Sequence, residues 1–142
     1  MASLDSPGRV DELAGAVVRR VWESFEARDW DRAADCLADE FVCEWPQTGE
    51  RFRGRENFIA MNRAHPAPNW HLQVRRLVAE QSTVAAEVVV VSDNAVDMCL
   101  GFYDVSGGQV VHAVEYWVER ADKPTPAWRA AFTERVDPVP PA

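Results

Sequence analysis

Lysine is nearly missing from this chain of 142 residues: Lys123 stands alone beside 14 arginines, against 23 acidic residues and a formal net charge of −8. The arginines form no basic stripe that could follow a phosphate backbone, so nucleic acid is not an expected partner. Long hydrophobic runs are missing too. None approaches the roughly 20 apolar residues that span a bilayer, and the opening "MASLDSPGRVDEL" is acidic, without the apolar stretch of an export signal. These absences predict a soluble, cytoplasmic protein with no membrane partner. Cysteine is scarce and odd in number: Cys36, Cys43 and Cys99 are scattered and form no C-x-x-C, which predicts reduced thiols used as small core residues. His65, His71 and His112 have no acidic partner at ligand spacing, so no metal is expected. No G-x-S-x-G, phosphate loop, dinucleotide fingerprint or zinc-protease motif occurs, and the expectation is action without a cofactor.

What remains is enough for one core. A hydrophobic share of 47% over this length suits a single domain spanning 1–142. Leu13, Val17, Val21 and Phe25, joined by Val18 and Trp22, recur at helical spacing and predict an amphipathic helix from about Asp11 to Ala27. Asp29 is placed to cap a second short helix, with Ala33, Ala34 and Leu37 as its buried stripe. "FVCEWP" reads as a short strand stopped by Pro46, and Gly49 and Gly54 bracket a few extended residues. A third helix is predicted from Arg55 to about Ala64. The period then changes. "WHLQVRRLVAE", "TVAAEVVVVS", "AVDMCLGFYDV" and "QVVHAVEYWVE" are β-branched and aromatic runs linked by Gln81-Ser82, Asp93-Asn94 and Gly107-Gly108, which predicts an antiparallel meander. Helices first and strands after define an α+β class, with helices packed on one face of a curved sheet.

That order, with "VVRRVWESFEARDWDRAADCLADEFVCEWP…GERFRGRENF" and the closing "GFYDVSGGQVVHAVEYW", resembles the nuclear transport factor 2-like superfamily, and more narrowly its SnoaL-like and ketosteroid isomerase-like bacterial members. The resemblance covers about residues 10–119 and leaves 120–142 as a C-terminal extension. It implies a cone: an antiparallel sheet wraps the N-terminal helices around an apolar cavity, and its outer face makes a homodimer. In the isomerase-like members a general-base carboxylate precedes the strand-ending proline. Here that position is Trp45, while the two oxyanion donors fall at Val21 and Leu100, so isomerisation by that mechanism is disfavoured. The water-activating Asp-Arg-Asp set of the limonene-epoxide-hydrolase-like members cannot be assembled from inward positions. SnoaL-like cyclases carry an acid on the last long strand, and the resemblance places Glu115 there.

Inward parity set by the same resemblance takes Ala86, Val88 and Val90, then Met98, Leu100 and Phe102, then Ala113, Glu115 and Trp117, and turns His112, Glu87 and Asp97 outward. Glu115 is the one formal charge in that inward set, and desolvation should suit it to general acid/base work, with the Trp45 indole N–H as its orienter. The competing expectation pairs Glu115 with Arg53 or Arg63, or leaves it in water at the rim. Trp22, Phe25, Phe58, Met61, Met98, Leu100, Phe102 and Trp117 are the expected substrate-binding walls. Trp128, Ala131, Phe132 and Val136 recur at helical spacing in the extension, either to cap the cone, to embrace a second subunit, or to form a surface helix held by Trp128. The expected activity is cofactor-independent proton transfer, such as cyclisation, isomerisation or dehydration, on a small hydrophobic molecule. The alternative is a non-catalytic hydrophobic-ligand-binding protein or a dimeric scaffold protein of the same fold.

Overall fold

In the computed structural model, which describes residues 7–93, 95–121 and 123–136, three helices precede most of a six-stranded mixed sheet. Helix α1 (Pro7–Glu26) is followed by α2 (Trp30–Asp35), then β1 (Leu37–Trp45), β2 (Glu50–Arg53), α3 (Arg55–Arg63), β3 (His71–Glu80), β4 (Thr83–Ser92), β5 (Ala95–Ser106), β6 (Gln109–Glu119) and a short α4 (Ala127–Ala130). The strand order is β2-β1-β6-β5-β4-β3. The meander β3 to β6 is antiparallel, as its short turns require, and β1 joins it parallel to β6.

Helix α1 buries Ala14, Val18, Val21, Trp22 and Phe25, a stripe at three- and four-residue spacing that lies against the sheet. Each of the larger side chains contributes about 1.5–3 kcal/mol relative to exposure. Leu13, expected on this stripe, is 46% exposed. Asp29 caps α2 by accepting from the Arg32 backbone N–H at 3.1 Å. That helix ends two residues before the last position of the expected stripe, and Leu37 opens β1 with its side chain in the core. All three cysteines are free and buried.

Strand β5 departs from the expected parity. The register pairs Val88 with Cys99, Ala86 with Gly101 and Val84 with Tyr103, so Cys99, Gly101 and Tyr103 face inward with the buried side of β4. Met98, Leu100 and Phe102 therefore face outward, and Leu100 and Phe102 are 39% and 53% exposed. The physical reason is space. The inner face holds no side chain at 101, because a Cβ there would lie 2.3 Å from the Tyr103 hydroxyl. The Tyr103 ring folds over Gly101 and fills the inner layer itself.

The extension differs as well. Its helix spans one turn, and Trp128, Phe132 and Val136 are 77%, 86% and 81% exposed. Among the described residues the Trp128 ring contact is with the guanidinium of neighbouring Arg129, not with the body of the domain.

Candidate functional site

The inner face of the sheet reads as successive rows, because cross-strand partners share a face. Nearest the open end lie Leu72, Val90, Asp97 and Glu119, one residue from each of β3 to β6. Next come Val74, Val88, Cys99 and Trp117. Gly101 and Glu115 form the row beyond. Four residues separate Asp97 from Gly101, so Glu115 sits roughly 13 Å deeper along the strands than Asp97.

A cavity of about 690 Å³ opens at the outer end of these rows. Trp22 and Phe25 from α1, Trp45 from β1, Met61 and Asn62 from α3 and Trp117 from β6 line it, together with Trp70, Leu72 and Val90. Its polar rim holds Gln47, His65, Asp97, Glu119 and Lys123. Of the expected walls, Trp22, Phe25, Met61 and Trp117 are present, and Trp45, expected as the orienter of Glu115, lines the cavity as well. Phe58 is instead buried behind them, packed on Phe25, Phe41 and Phe52. Met98, Leu100 and Phe102 lie on the opposite face of the sheet.

Glu115 is 3% exposed and is not among the residues lining the cavity. The Tyr103 hydroxyl donates to its Oε2 at 2.6 Å, the Trp45 indole N–H donates to its Oε1 at 3.1 Å, and the Cys43 thiol faces the same Oε1 at 3.6 Å. Burial, reinforced by the Glu115 charge, pushes the Tyr103 phenol and the Cys43 and Cys99 thiols well up, so all three keep their protons. The predicted contact between Trp45 and Glu115 is thus present, and neither Arg53 nor Arg63 pairs with the carboxylate. Tyr103 went unpredicted. Its signal was the G-x-Y spacing on β5, which sets a phenol one residue pair away from Glu115 once the parity is right.

Asp97, expected outward, faces into the cavity. Burial raises the pKa of its carboxyl, the Glu119 charge beside it raises it further, and His65 acts in the opposite direction. Neither Asp97 nor Glu119 forms an ion pair among the described residues. The His65 Nδ1 accepts the Ala67 backbone N–H at 3.0 Å, so the neutral ring carries its proton on Nε2. The remaining histidines serve elsewhere. His71 contacts Glu26 at 2.9 Å, and His112 lies outward between Glu44 at 2.8 Å and Asp104 at 3.4 Å. Among the described residues no group of three His, Cys, Asp or Glu side chains could hold a metal ion, and no helix is long and apolar enough to cross a membrane.

Two side chains stiffen the cavity walls. The Gln47 amide donates to the Trp117 carbonyl at 2.8 Å and accepts from the Trp117 N–H, holding both backbone groups of that residue. The Arg28 guanidinium lies 3.3 Å above the Trp70 ring and donates to the carbonyls of Phe25, Pro68 and Trp70, tying the end of α1 to the loop before β3.

A bent, unclosed sheet wrapped on α1, with an aromatic cavity at its open end, defines the nuclear transport factor 2-like α+β cone. The chain belongs to the SnoaL-like domain family, whose model matches residues 18–123. It is similar to the crystal structure of a protein from Kribbella flavida DSM 17836 described as a candidate ketosteroid isomerase, at 31% identity and a TM-score of 0.82, covering 89% of this chain and 91% of that one. An NTF-2 like protein of unknown function from Burkholderia xenovorans LB400 is 25% identical, with a TM-score of 0.75 and coverage of 89% and 98%. IdmH, a candidate polyketide cyclase from Streptomyces antibioticus, is 18% identical with a TM-score of 0.65, covers 73% and 91%, and shares the fold. No curated protein matches.

Proposed function

We propose that this protein is a cofactor-independent enzyme that moves a proton on a flat, hydrophobic, carbonyl-bearing molecule held among Trp45, Trp117, Trp22 and Trp70. The observation that carries this reading is Asp97: an inward carboxylate, in the cavity, with no ion-pair partner among the described residues and with its pKa raised by burial and by Glu119. A carboxylate in that state is a better base than an ordinary aspartate, and it sits where a substrate would meet it. Glu115 has its oxygens occupied by Tyr103, Trp45 and Cys43. Its role in this reading is to hold the Trp45 indole, and through it the cavity wall, in place. Kinship with proteins described as isomerase and cyclase candidates agrees with proton chemistry.

The test is the exchange of the α-hydrogens of 2-tetralone in D2O, followed by NMR. The protein should accelerate exchange over buffer. Asp97→Asn should lower that acceleration about 100-fold, while Glu115→Gln should retain most of it. An Asp97→Asn variant as fast as the parent would overturn the assignment.

The second reading, a non-catalytic binder of hydrophobic ligands, is favoured by the fully engaged state of Glu115. Binding of 2-tetralone without accelerated exchange would select it. In either case we propose a homodimer through the outer sheet face, where Leu100, Phe102, Tyr116 and Val118 stand 39–53% exposed.

A further inference from the structure

Two polar atoms of the cavity walls have no role in anything described above. The indole nitrogens of Trp22 and Trp117 are buried and have no hydrogen-bond partner among the described residues, although both residues line the cavity and Trp22 as a whole is 4% exposed. Buried N–H groups in native proteins are almost always satisfied, and an orphan donor asks for an explanation. Three neighbouring donors of the cavity are engaged. Trp45 gives its N–H to Glu115, Asn62 gives its amide to the Phe58 carbonyl at 2.9 Å, and Gln47 gives its amide to Trp117. Each orphan indole stands edge-on to its aromatic neighbours, Trp22 to Phe25 and Tyr103, Trp117 to Trp45. Such contacts pack the ring and leave the donor without an oxygen.

We infer that Trp22 and Trp117 are the oxygen-binding residues of this cavity: their indole N–H groups receive an acceptor oxygen of the ligand, and so select an oxygen-bearing flat molecule over the bare hydrocarbon. Both nitrogens lie beneath neighbouring atoms, so receiving the oxygen requires a small turn of each indole within the wall. Pairing with an oxygen removes the penalty of a buried, unsatisfied donor, which makes that turn favourable. The assignment deepens the proton-transfer reading, because a carbonyl oxygen fixed on indole donors is where negative charge would build when Asp97 removes an adjacent proton.

The experiment uses the whole chain, labelled with ¹⁵N, and two probes of one ring skeleton, 2-tetralone and tetralin. The indole N–H resonances of Trp22 and Trp117, assigned from Trp22→Phe and Trp117→Phe, should move downfield with the ketone and not with the hydrocarbon. By calorimetry, the preference of the protein for ketone over hydrocarbon should fall about fivefold for each Trp→Phe substitution, the effect of one hydrogen bond. The inference is overturned if both probes move these resonances alike, if neither probe binds, or if the preference survives in both variants. Asp97→Asn separates this inference from the catalytic one. Loss of exchange with the downfield shift retained supports both, and normal exchange with the shift retained sinks the role of Asp97 alone.

Discussion

Replacing Gly101 by alanine should be among the most damaging single-methyl changes available in this protein. The added Cβ would stand 2.3 Å from the Tyr103 hydroxyl and 2.6 Å from two ring carbons, contacts that no side-chain adjustment of a few tenths of an ångström can relieve. The ring must swing off the strand, which breaks the 2.6 Å bond to Glu115 and leaves that buried oxygen without its hydroxyl donor. Overpacking costs about 1–3 kcal/mol, and an unsatisfied buried group about 1–3 kcal/mol more. A total near ~3 kcal/mol corresponds to a fall of roughly 10 °C in melting temperature for a domain of this size. Urea unfolding of Gly101→Ala against the parent measures the loss. Spectrophotometric titration gives an independent readout, since the Tyr103 phenol, protected by burial and by the Glu115 charge, should ionise at lower pH once displaced. Gly15→Ala is the control: the tight contact of its Cβ would be with the tip of the Leu77 side chain, at 3.1 Å, with Ala79 Cβ at an ordinary 4.0 Å, and alanine favours the helix by about 1 kcal/mol. It should lie within ~1 kcal/mol of the parent. A Gly101→Ala protein as stable as Gly15→Ala would refute the inward placement of Tyr103.

Other consequences can be checked in the same material. Tyr103→Phe keeps the ring and removes the hydroxyl, so it should destabilise by about 1–3 kcal/mol, read by the same urea titration. The raised pKa of Asp97 means that the folded state holds this proton more tightly than the unfolded chain; its share of stability is largest at low pH and is lost as pH rises from the ordinary aspartate range to the raised value. Asp97→Asn should flatten that part of a stability–pH profile. Glu44 has the opposite sign: His112 and Arg51 lower its pKa, so its contribution is present above the ordinary glutamate range and fades as pH falls through the lowered value, a trend that His112→Ala should weaken. Leu100→Glu with Phe102→Glu puts two charges on the outer face; if the proposed homodimer forms there, sedimentation should report a dimer for the parent and a monomer for the double variant.

The helices and the meander were legible because each rests on a local signal, a 3.6-residue period or a turn dipeptide, whereas the contact of Trp45 with Glu115, 70 residues apart, was reached only through the inward parity that the resemblance implied. Strand β5 was not legible. Met98, Leu100 and Phe102 alternate with Cys99, Gly101 and Tyr103, so both faces are apolar and the residue pattern offered nothing against the parity that the resemblance implied. The turn held the answer. Pairing Ser92 with Ala95 forces Asp97 opposite Val90 and Cys99 opposite Val88, so inward valines on β4 already required an inward Asp97. The position of Glu115 behind the cavity was illegible for another reason. Depth along a strand depends on where the walls close above it, and here Trp22, Trp45 and Trp117 close them from three different elements.

The Gln47 amide imitates a peptide group. Where Pro46 ends β1, this one side chain supplies the donor and the acceptor that a continuing neighbour strand would have offered to Trp117. The sheet thereby gains one more rung without one more residue of strand, and the loop that carries Gln47 becomes a mechanical part of the cavity. Grafting a loop from a relative onto this cone would transplant a wall along with a turn, so the loop between β1 and β2 is a place where ligand shape could be retuned without touching any residue that lines the deep end.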